Sequence, residues 1–326
     1  MNVPDTNIIF NVTKESFEKT AFECFRYQLG NNPVYAAYYN SQPGKRKEPG
    51  RLTAIPFLPV TFFKSHQVTA FTSPAELVFT SSGTTGIHTS RHYVPFAGIY
   101  EESFLHCFQN FYGSPTRYAF LFLLPSYLER QGSSLIYMAE KLATLSNNPD
   151  SGFFLTANNK LVETLERREG DGQPTFLMGV TFALLDFAEE YPIRLNNTIV
   201  METGGMKGRR AEITRTEVHE KLKNAFNVPA IHSEYGMTEL LSQAYSKGNG
   251  LFTCPPWMRV FVRDEDDPFT VKESGTGLLC IADLANWYSC PFIETADLGR
   301  VYEDGSFEVL GRLDNSDIRG CSLLIA

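Results

Sequence analysis

None of the six cysteines stands in a C-x-x-C pair: Cys24, Cys107, Cys254, Cys280, Cys290 and Cys321 are scattered along 326 residues. A zinc site calls for clustered ligands and a disulfide framework for a small secreted chain, so neither is expected. Long apolar runs are missing as well. Stretches such as "YAFLFLLP" and "SLLIA" fall far short of the roughly 20 residues that cross a bilayer. No basic segment followed by an apolar one opens the chain, so no membrane insertion is expected and the expected location is cytoplasmic. Clustered positive charge is scarce too. The net charge is -8, and "GKRKEPGR" is the dense basic run; phosphate backbones recruit clustered Lys and Arg, so no nucleic-acid partner is expected. What is present is ordinary for a globular protein, 43% hydrophobic and 20% charged residues with 26 Phe and 15 Tyr. That length and composition suit one large α/β domain or two smaller ones.

Residues 13–29 carry apolar positions at helical spacing (Phe17, Ala21, Phe22, Phe25, Leu29), with Thr13 as cap and Gly30 as stop. "IPFLPVTFFKSHQV" holds prolines that forbid a helix interior and is expected to run extended. From residue 97 onward, helical patterns alternate with continuous apolar runs such as "RYAFLFLLPS", "SGFFLT", "TFLMGV" and "NTIVMET". Strands and helices in turn imply a mostly parallel sheet covered on both faces, with ligands at the carboxyl ends of its strands. From about Leu251 the pattern changes to short β runs with turn signals, "GTGLLCIADL" and "YEDGSFEVLGRLD", which read as a small antiparallel section.

The stretch "LVFTSSGTTGIHTSRHYV" crowds Ser, Thr and Gly behind an apolar run. Gly83 and Gly86 allow backbone amides to turn toward an anion, and Ser82, Thr84 and Thr85 add hydroxyl donors. Alone, this loop reads equally as a hydroxyl-rich surface turn. No Lys follows the glycine, so it is not a Walker A loop. Three later stretches share its theme: "METGGMKG" after an apolar strand, "HSEYGMTEL", and "TADLGRVYEDGSFEVLGRLDNSDIRG". Read singly, Thr238-Glu239 is also the signature of a helix N-cap with a first-turn acid. Asp297 is equally a turn cap, and Arg312 a surface ion-pair partner.

In this order and spacing, the four motifs resemble those of the adenylate-forming superfamily, which includes acyl-CoA synthetases, luciferases and peptide-synthetase adenylation domains. Within it, "IPFLPVTFFKSH", "SSGTTG", "LPSYLERQGSSL" and "TGGMKG" look most like the LuxE-like acyl-protein synthetases of the fatty-acid reductase system. The resemblance implies an α/β fold, the large N-terminal domain of these enzymes, with helix-flanked β-sheets and a small antiparallel β section. Residues 1–311 would form that domain and 312–326 a hinge remnant and tail, without the usual small C-terminal domain and its catalytic Lys. It implies ATP and Mg²⁺ as cofactors and a fatty or other carboxylic acid as substrate. Ser82, Gly83, Thr84, Thr85 and Gly86 would grip the β- and γ-phosphates. Gly204, Gly205 and Met206 would border the adenine and acyl pocket. Tyr235 would stack on adenine, Thr238 would bond the α-phosphate and Glu239 would hold the metal. Asp297 would take the ribose hydroxyls, Arg312 would support ribose or phosphate, and Asp314 would mark the hinge. Where many members have Pro-Lys after the loop, this chain has "IHTSR", leaving His88 or Arg91 as the cation there.

The chemistry wants the same residue types. A carboxylate attacking an α-phosphate brings negative charge to a negative group, and hydroxyls, amides and a metal absorb it. The acyl group then needs an acceptor. The LuxE-like resemblance implies the protein's own Cys321, in "IRGCSLLIA", and a possible acyl-protein reductase as partner. Nine residues of extended chain span about 30 Å from Arg312, so reach is no obstacle. Transfer to CoA or a carrier protein, and a non-catalytic relative that only binds ATP or acyl adenylate, stand as the alternatives.

Overall fold

The computed structural model describes residues 6–43, 48–81, 89–124, 132–156, 158–204, 213–264, 267 and 269–313. In chain order its strands are β1 (Leu58–Pro59), β2 (Leu77–Thr80), β3 (Arg91–Val94), β4 (Ala119–Leu123), β5 (Gly152–Phe154), β6 (Thr175–Val180) and β7 (Thr198–Thr203). They continue with β8 (His232–Tyr235), β9 (Ala244–Ser246), β10 (Met258–Arg263), β11 (Val271–Lys272), β12 (Gly275–Asp283), β13 (Phe292–Val301) and β14 (Phe307–Arg312).

The central sheet has the order β5-β4-β6-β7-β8-β9, parallel throughout except for the last strand. β4 and β6 are buried at every position, which is why their sequences are continuous apolar runs rather than alternating ones. Helices Ser134–Ser146, Asn159–Gly170, Thr181–Glu190 and Arg215–Phe226 fill the crossovers. Each start is specified locally where a cap is present. Ser133 Oγ accepts the Ile136 amide and Asn158 Oδ1 the Leu161 amide. Thr214 and Glu217 form a reciprocal capping box ahead of the last helix. Phe108, Phe120, Phe122 and Phe176 are buried within this core, and each large side chain contributes about 1.5–3 kcal/mol by leaving water.

A second sheet has the order β1-β13-β12-β10-β11, with β14 added on β13. It is antiparallel apart from the β1–β13 pair. β2 and β3 form a separate antiparallel pair whose register runs from Leu77↔Val94 to Thr80↔Arg91. The segment 82–88 that joins them lies outside the described residues.

Two local expectations are corrected. The first long helix is Phe17–Asn31 and not 13–29: Thr13 and Ser16 bond each other in a turn ahead of it, and Gly30 is carried as its penultimate residue. The Pro-rich stretch is not extended throughout, because Phe62–Ser65 forms a helical turn once Pro59 is passed. The antiparallel section expected from about Leu251 onward is present, with one strand added to it from outside. β1, from far earlier in the chain, supplies its parallel edge through Leu58↔Ile293, a pairing that local patterning has no means of signalling.

Candidate active site

β7 and β8 run side by side, with Met201↔His232, Glu202↔Ser233 and Thr203↔Glu234 in register. Their carboxyl ends bring Gly204 and Tyr235 to the edge of the sheet where ligands of such folds bind. Gly204 has φ +74°, a conformation that costs other residues strain, and so turns the chain sharply off β7.

Tyr235 joins the two sheets. Its ring meets Phe252 and Phe307 edge-on, at 5.9 and 5.5 Å between centroids, and those two rings stack on each other. Its hydroxyl donates to Asp297 Oδ2 at 2.8 Å. Burial, reinforced by the Asp297 charge, keeps this phenol neutral well above its ordinary range. Asp297 lies in β13 directly opposite Arg312 in β14, with Arg312 Nε 3.8 Å from Oδ1. This is a loose pair with an exposed guanidinium. Asp297 is thus mid-strand rather than a turn cap. A carboxylate offers about four lone-pair positions, so accepting the Tyr235 hydroxyl leaves capacity for a further donor.

Thr238 and Glu239 sit in the turn between β8 and β9, and no helix follows them. The helix-cap reading of this pair is therefore set aside. The turn is pinned from below. His92 Nδ1 donates to the Thr238 carbonyl at 2.8 Å, and its Nε2 meets Ser289 Oγ, also at 2.8 Å. Burial lowers the pKa of His92 to about 4, so the ring is neutral: with Nδ1 as donor, Nε2 accepts from the Ser289 hydroxyl. Asn286 Nδ2 donates to the Glu239 carbonyl at 2.8 Å. The Glu239 side chain is itself buried, and burial raises its pKa against the opposing hydrogen bond from Ser90 and the charges of Arg312 and Lys64.

Sequence reasoning missed His92, whose place in a short strand gives no local signal. It also missed a polar cluster beneath the site. Glu202, in β7, accepts from Thr181 Oγ1 at 2.8 Å through Oε2. Its Oε1 faces Arg215 Nε at 3.4 Å and His219 Nε2 at 3.7 Å. Oε1 is buried without a hydrogen bond, and 3.7 Å is an electrostatic contact only. Burial pushes this carboxyl up, but His219 and Arg215 outweigh it and hold the pKa at about 2. One residue along the neighbouring strand the opposite holds. Glu234 accepts from Thr203 Oγ1 at 2.5 Å, yet burial and the nearby Glu202 charge push its pKa up to about 7.

Arg215 ties these parts together. It lies over the Phe252 ring at 5.1 Å and donates to the Val309 carbonyl of β14 at 3.2 Å. A cleft of about 410 Å³ opens along this helix, lined by Arg215, His219, Lys223 and the β14 residues Glu308, Val309 and Leu310. None of the expected site residues lines it. Several of those lie outside the described residues: Ser82, Gly83, Thr84, Thr85, Gly86, His88, Gly205, Met206, Asp314 and Cys321. Arg91 is described, as the exposed first residue of β3.

Among the described residues, no group of three or more His, Cys, Asp or Glu could hold a metal ion. Mg²⁺ asks for less: beside phosphates it commonly needs only one or two carboxylates. Glu239, a buried carboxyl whose charge is incompletely offset, fits that requirement.

No family model and no curated protein matches the chain. Solved structures do. ATP-bound MatB from Rhodopseudomonas palustris superposes with a TM-score of 0.54 and 15% identity, covering 74% of this chain and 49% of that one. An ATP-bound RpMatB-BxBclM chimera gives the same values. This chain thus spans about half the length of these two structures. The fold is that of the large N-terminal domain of the adenylate-forming enzymes. No helix among the described residues is long and apolar enough to cross a membrane.

Proposed function

We propose that this chain activates a carboxylic acid with ATP. The acid's carboxylate oxygen attacks the α-phosphorus, pyrophosphate leaves, and an acyl adenylate forms. The observation that carries the reading is the meeting of Tyr235, Asp297 and Arg312 with the Thr238-Glu239 turn beside the carboxyl end of the parallel sheet.

On this reading the purine lies against Tyr235, and Asp297, already oriented by the Tyr235 hydroxyl, accepts from ribose. Arg312 adds positive charge beside the phosphates. Thr238, held in place by His92, donates to the α-phosphate, where transition-state charge develops. Glu239 would hold Mg²⁺, which supplies charge neutralisation when bound. The hydroxyls and amides of Ser82, Gly83, Thr84, Thr85 and Gly86 take the β- and γ-phosphates. Gly204, Gly205 and Met206 border the adenine and acyl pocket.

The finer proposal follows the LuxE-like resemblance. The Cys321 thiolate attacks the acyl carbonyl, a C–S bond forms, and AMP leaves with the electron pair of the broken C–O bond. A fatty acid is the substrate that resemblance implies, and a reductase that consumes the thioester is the implied partner. Intact-protein mass spectrometry after incubation with ATP, Mg²⁺ and an acid tests this. The expected result is one acyl increment, removable by hydroxylamine and lost in Cys321→Ser while pyrophosphate release continues. A thioester of equal yield on Cys321→Ser excludes Cys321 as acceptor.

A further inference from the structure

Phe252 and Phe307 are fully buried, while the Tyr235 ring they meet edge-on is only half-buried. The two phenylalanines exchange both backbone hydrogen bonds, at 2.8 and 3.0 Å, as an isolated antiparallel bridge. In that register Gly250 falls opposite Val309, the next position where two strands would exchange a pair of bonds. The strand does not continue there. Asn249 and Gly250 both have positive φ and turn the chain away.

Arg215 takes the vacated place. A Cβ on Gly250 would lie 3.1 Å from Arg215 Cδ, so the stem runs close against the glycine. Its Nη1 donates to the Val309 carbonyl at 3.2 Å. Its guanidinium lies over the Phe252 ring at 5.1 Å, and its Nε faces the buried Glu202 Oε1 at 3.4 Å. Arg215 also lines the cleft of about 410 Å³, whereas Phe252 and Phe307 do not. The side chain is therefore the wall between two buried rings and open space. Without it one face of Phe252 loses its partner atoms and the ring has room to tip toward the cleft. Such a shift reaches Tyr235, and through the Tyr235 hydroxyl it reaches Asp297.

We infer that Arg215 is a positioning residue for the nucleotide. It touches no part of ATP; it clamps Phe252 and Phe307, and they set the Tyr235 ring and the Asp297 carboxylate that receive purine and ribose. This rests on the acid-activation reading above and adds to it the residue that holds the purine platform. Lys is a poor substitute, because an ammonium has no planar face for the ring and no fork to reach Glu202 and Val309 together.

The test is calorimetry of the full chain with ATP and with inorganic tripolyphosphate, alongside acid-dependent ATP–pyrophosphate exchange. Arg215→Met should weaken ATP binding about tenfold, the scale of a lost cation–ring contact. Tripolyphosphate binding should be unchanged, since the phosphate contacts lie elsewhere. In exchange, KM for ATP should rise while kcat stays within about threefold, as expected for a contact made equally in ground and transition states. KM for the acid should not move. Arg215→Lys should fall between wild type and Arg215→Met. Thr214→Ala, which loses stability without touching Phe252, should change none of these constants. If Arg215→Met does not fold, Phe252→Leu should show the same selective loss of ATP affinity. Where both fold, the double variant should bind ATP no more weakly than the weaker single variant. Unchanged ATP affinity in the folded variants, an equal loss for tripolyphosphate, or additive losses in the double variant would overturn the inference. A wild-type chain that binds ATP but exchanges with no acid would remove the activation reading, and the selective loss of ATP affinity would still support the role of Arg215. A wild-type chain that binds no ATP would overturn both.

Discussion

At the scale of single residues, two buried glutamates on neighbouring strands are shifted in opposite directions. Glu202 faces Arg215 and His219 and is held at about 2, whereas Glu234, lacking a cation, is raised to about 7. Linkage fixes the signs. Between the ordinary carboxylate range and about pH 7 the folded chain keeps a proton on Glu234 that the unfolded chain has lost, so stability falls as pH rises through that window. Glu202 acts the other way: its contribution is present above the ordinary range and is lost as pH falls toward 2. Glu234→Gln is therefore expected to raise the urea midpoint relative to wild type at pH 8, with the difference narrowing below pH 5. A constant difference from pH 5 to 8 would assign Glu234 an ordinary pKa. Glu239 is raised by burial as well, so activity that needs its carboxylate should decline on acidification at a pH above the usual carboxylate range. Glu239→Gln should leave the far-UV spectrum unchanged and reduce exchange by at least a hundredfold. Near wild-type exchange in the folded variant would take Glu239 out of the reaction.

At the scale of elements, the helix Arg215–Phe226 starts with two devices that can be separated by mutation. Thr214→Ala removes the capping box and is expected to cost about 1 kcal/mol in urea unfolding, with nucleotide affinity unchanged. Arg215→Met removes the contacts to Glu202, to Val309 and to the Phe252 face. Allowing for the partial exposure of Arg215, about 2 kcal/mol is expected, because a buried carboxylate loses its guanidinium partner and keeps Thr181 and His219. A cost at or below that of Thr214→Ala would mean Arg215 does not hold these elements together. Sequence legibility divides along the same lines. β4 and β6 were readable because burial on both faces forces unbroken apolar runs, and the helix 97–112 because its apolar stripe keeps a 3.6 period. Tyr235, Asp297 and Arg312 were readable only through motif order, since 62 residues separate the two partners of the Tyr235–Asp297 hydrogen bond. His92, Glu202 and Glu234 were not readable. Their roles arise from strand register and from burial, neither of which leaves a local mark on the chain.

At the scale of the whole molecule, two sheets meet through Tyr235, Phe252 and Phe307, and the candidate site occupies that meeting point. The parallel sheet supplies Gly204 and the turn with Thr238 and Glu239; the second sheet supplies Asp297 and Arg312. Neither sheet alone holds the set, so nucleotide binding should stabilise the fold as a unit. By mass action, ATP at about 100 times its Kd would add about 2.7 kcal/mol, read as a rise in melting temperature that Asp297→Ala abolishes. The measurement that bears most directly on the account is exchange of labelled pyrophosphate into ATP by the purified chain, with and without a panel of carboxylic acids. The account predicts exchange that requires both an acid and Mg²⁺ and is lost in Glu239→Gln. A folded chain that binds ATP yet shows no exchange with any acid, or exchanges equally without one, would contradict it.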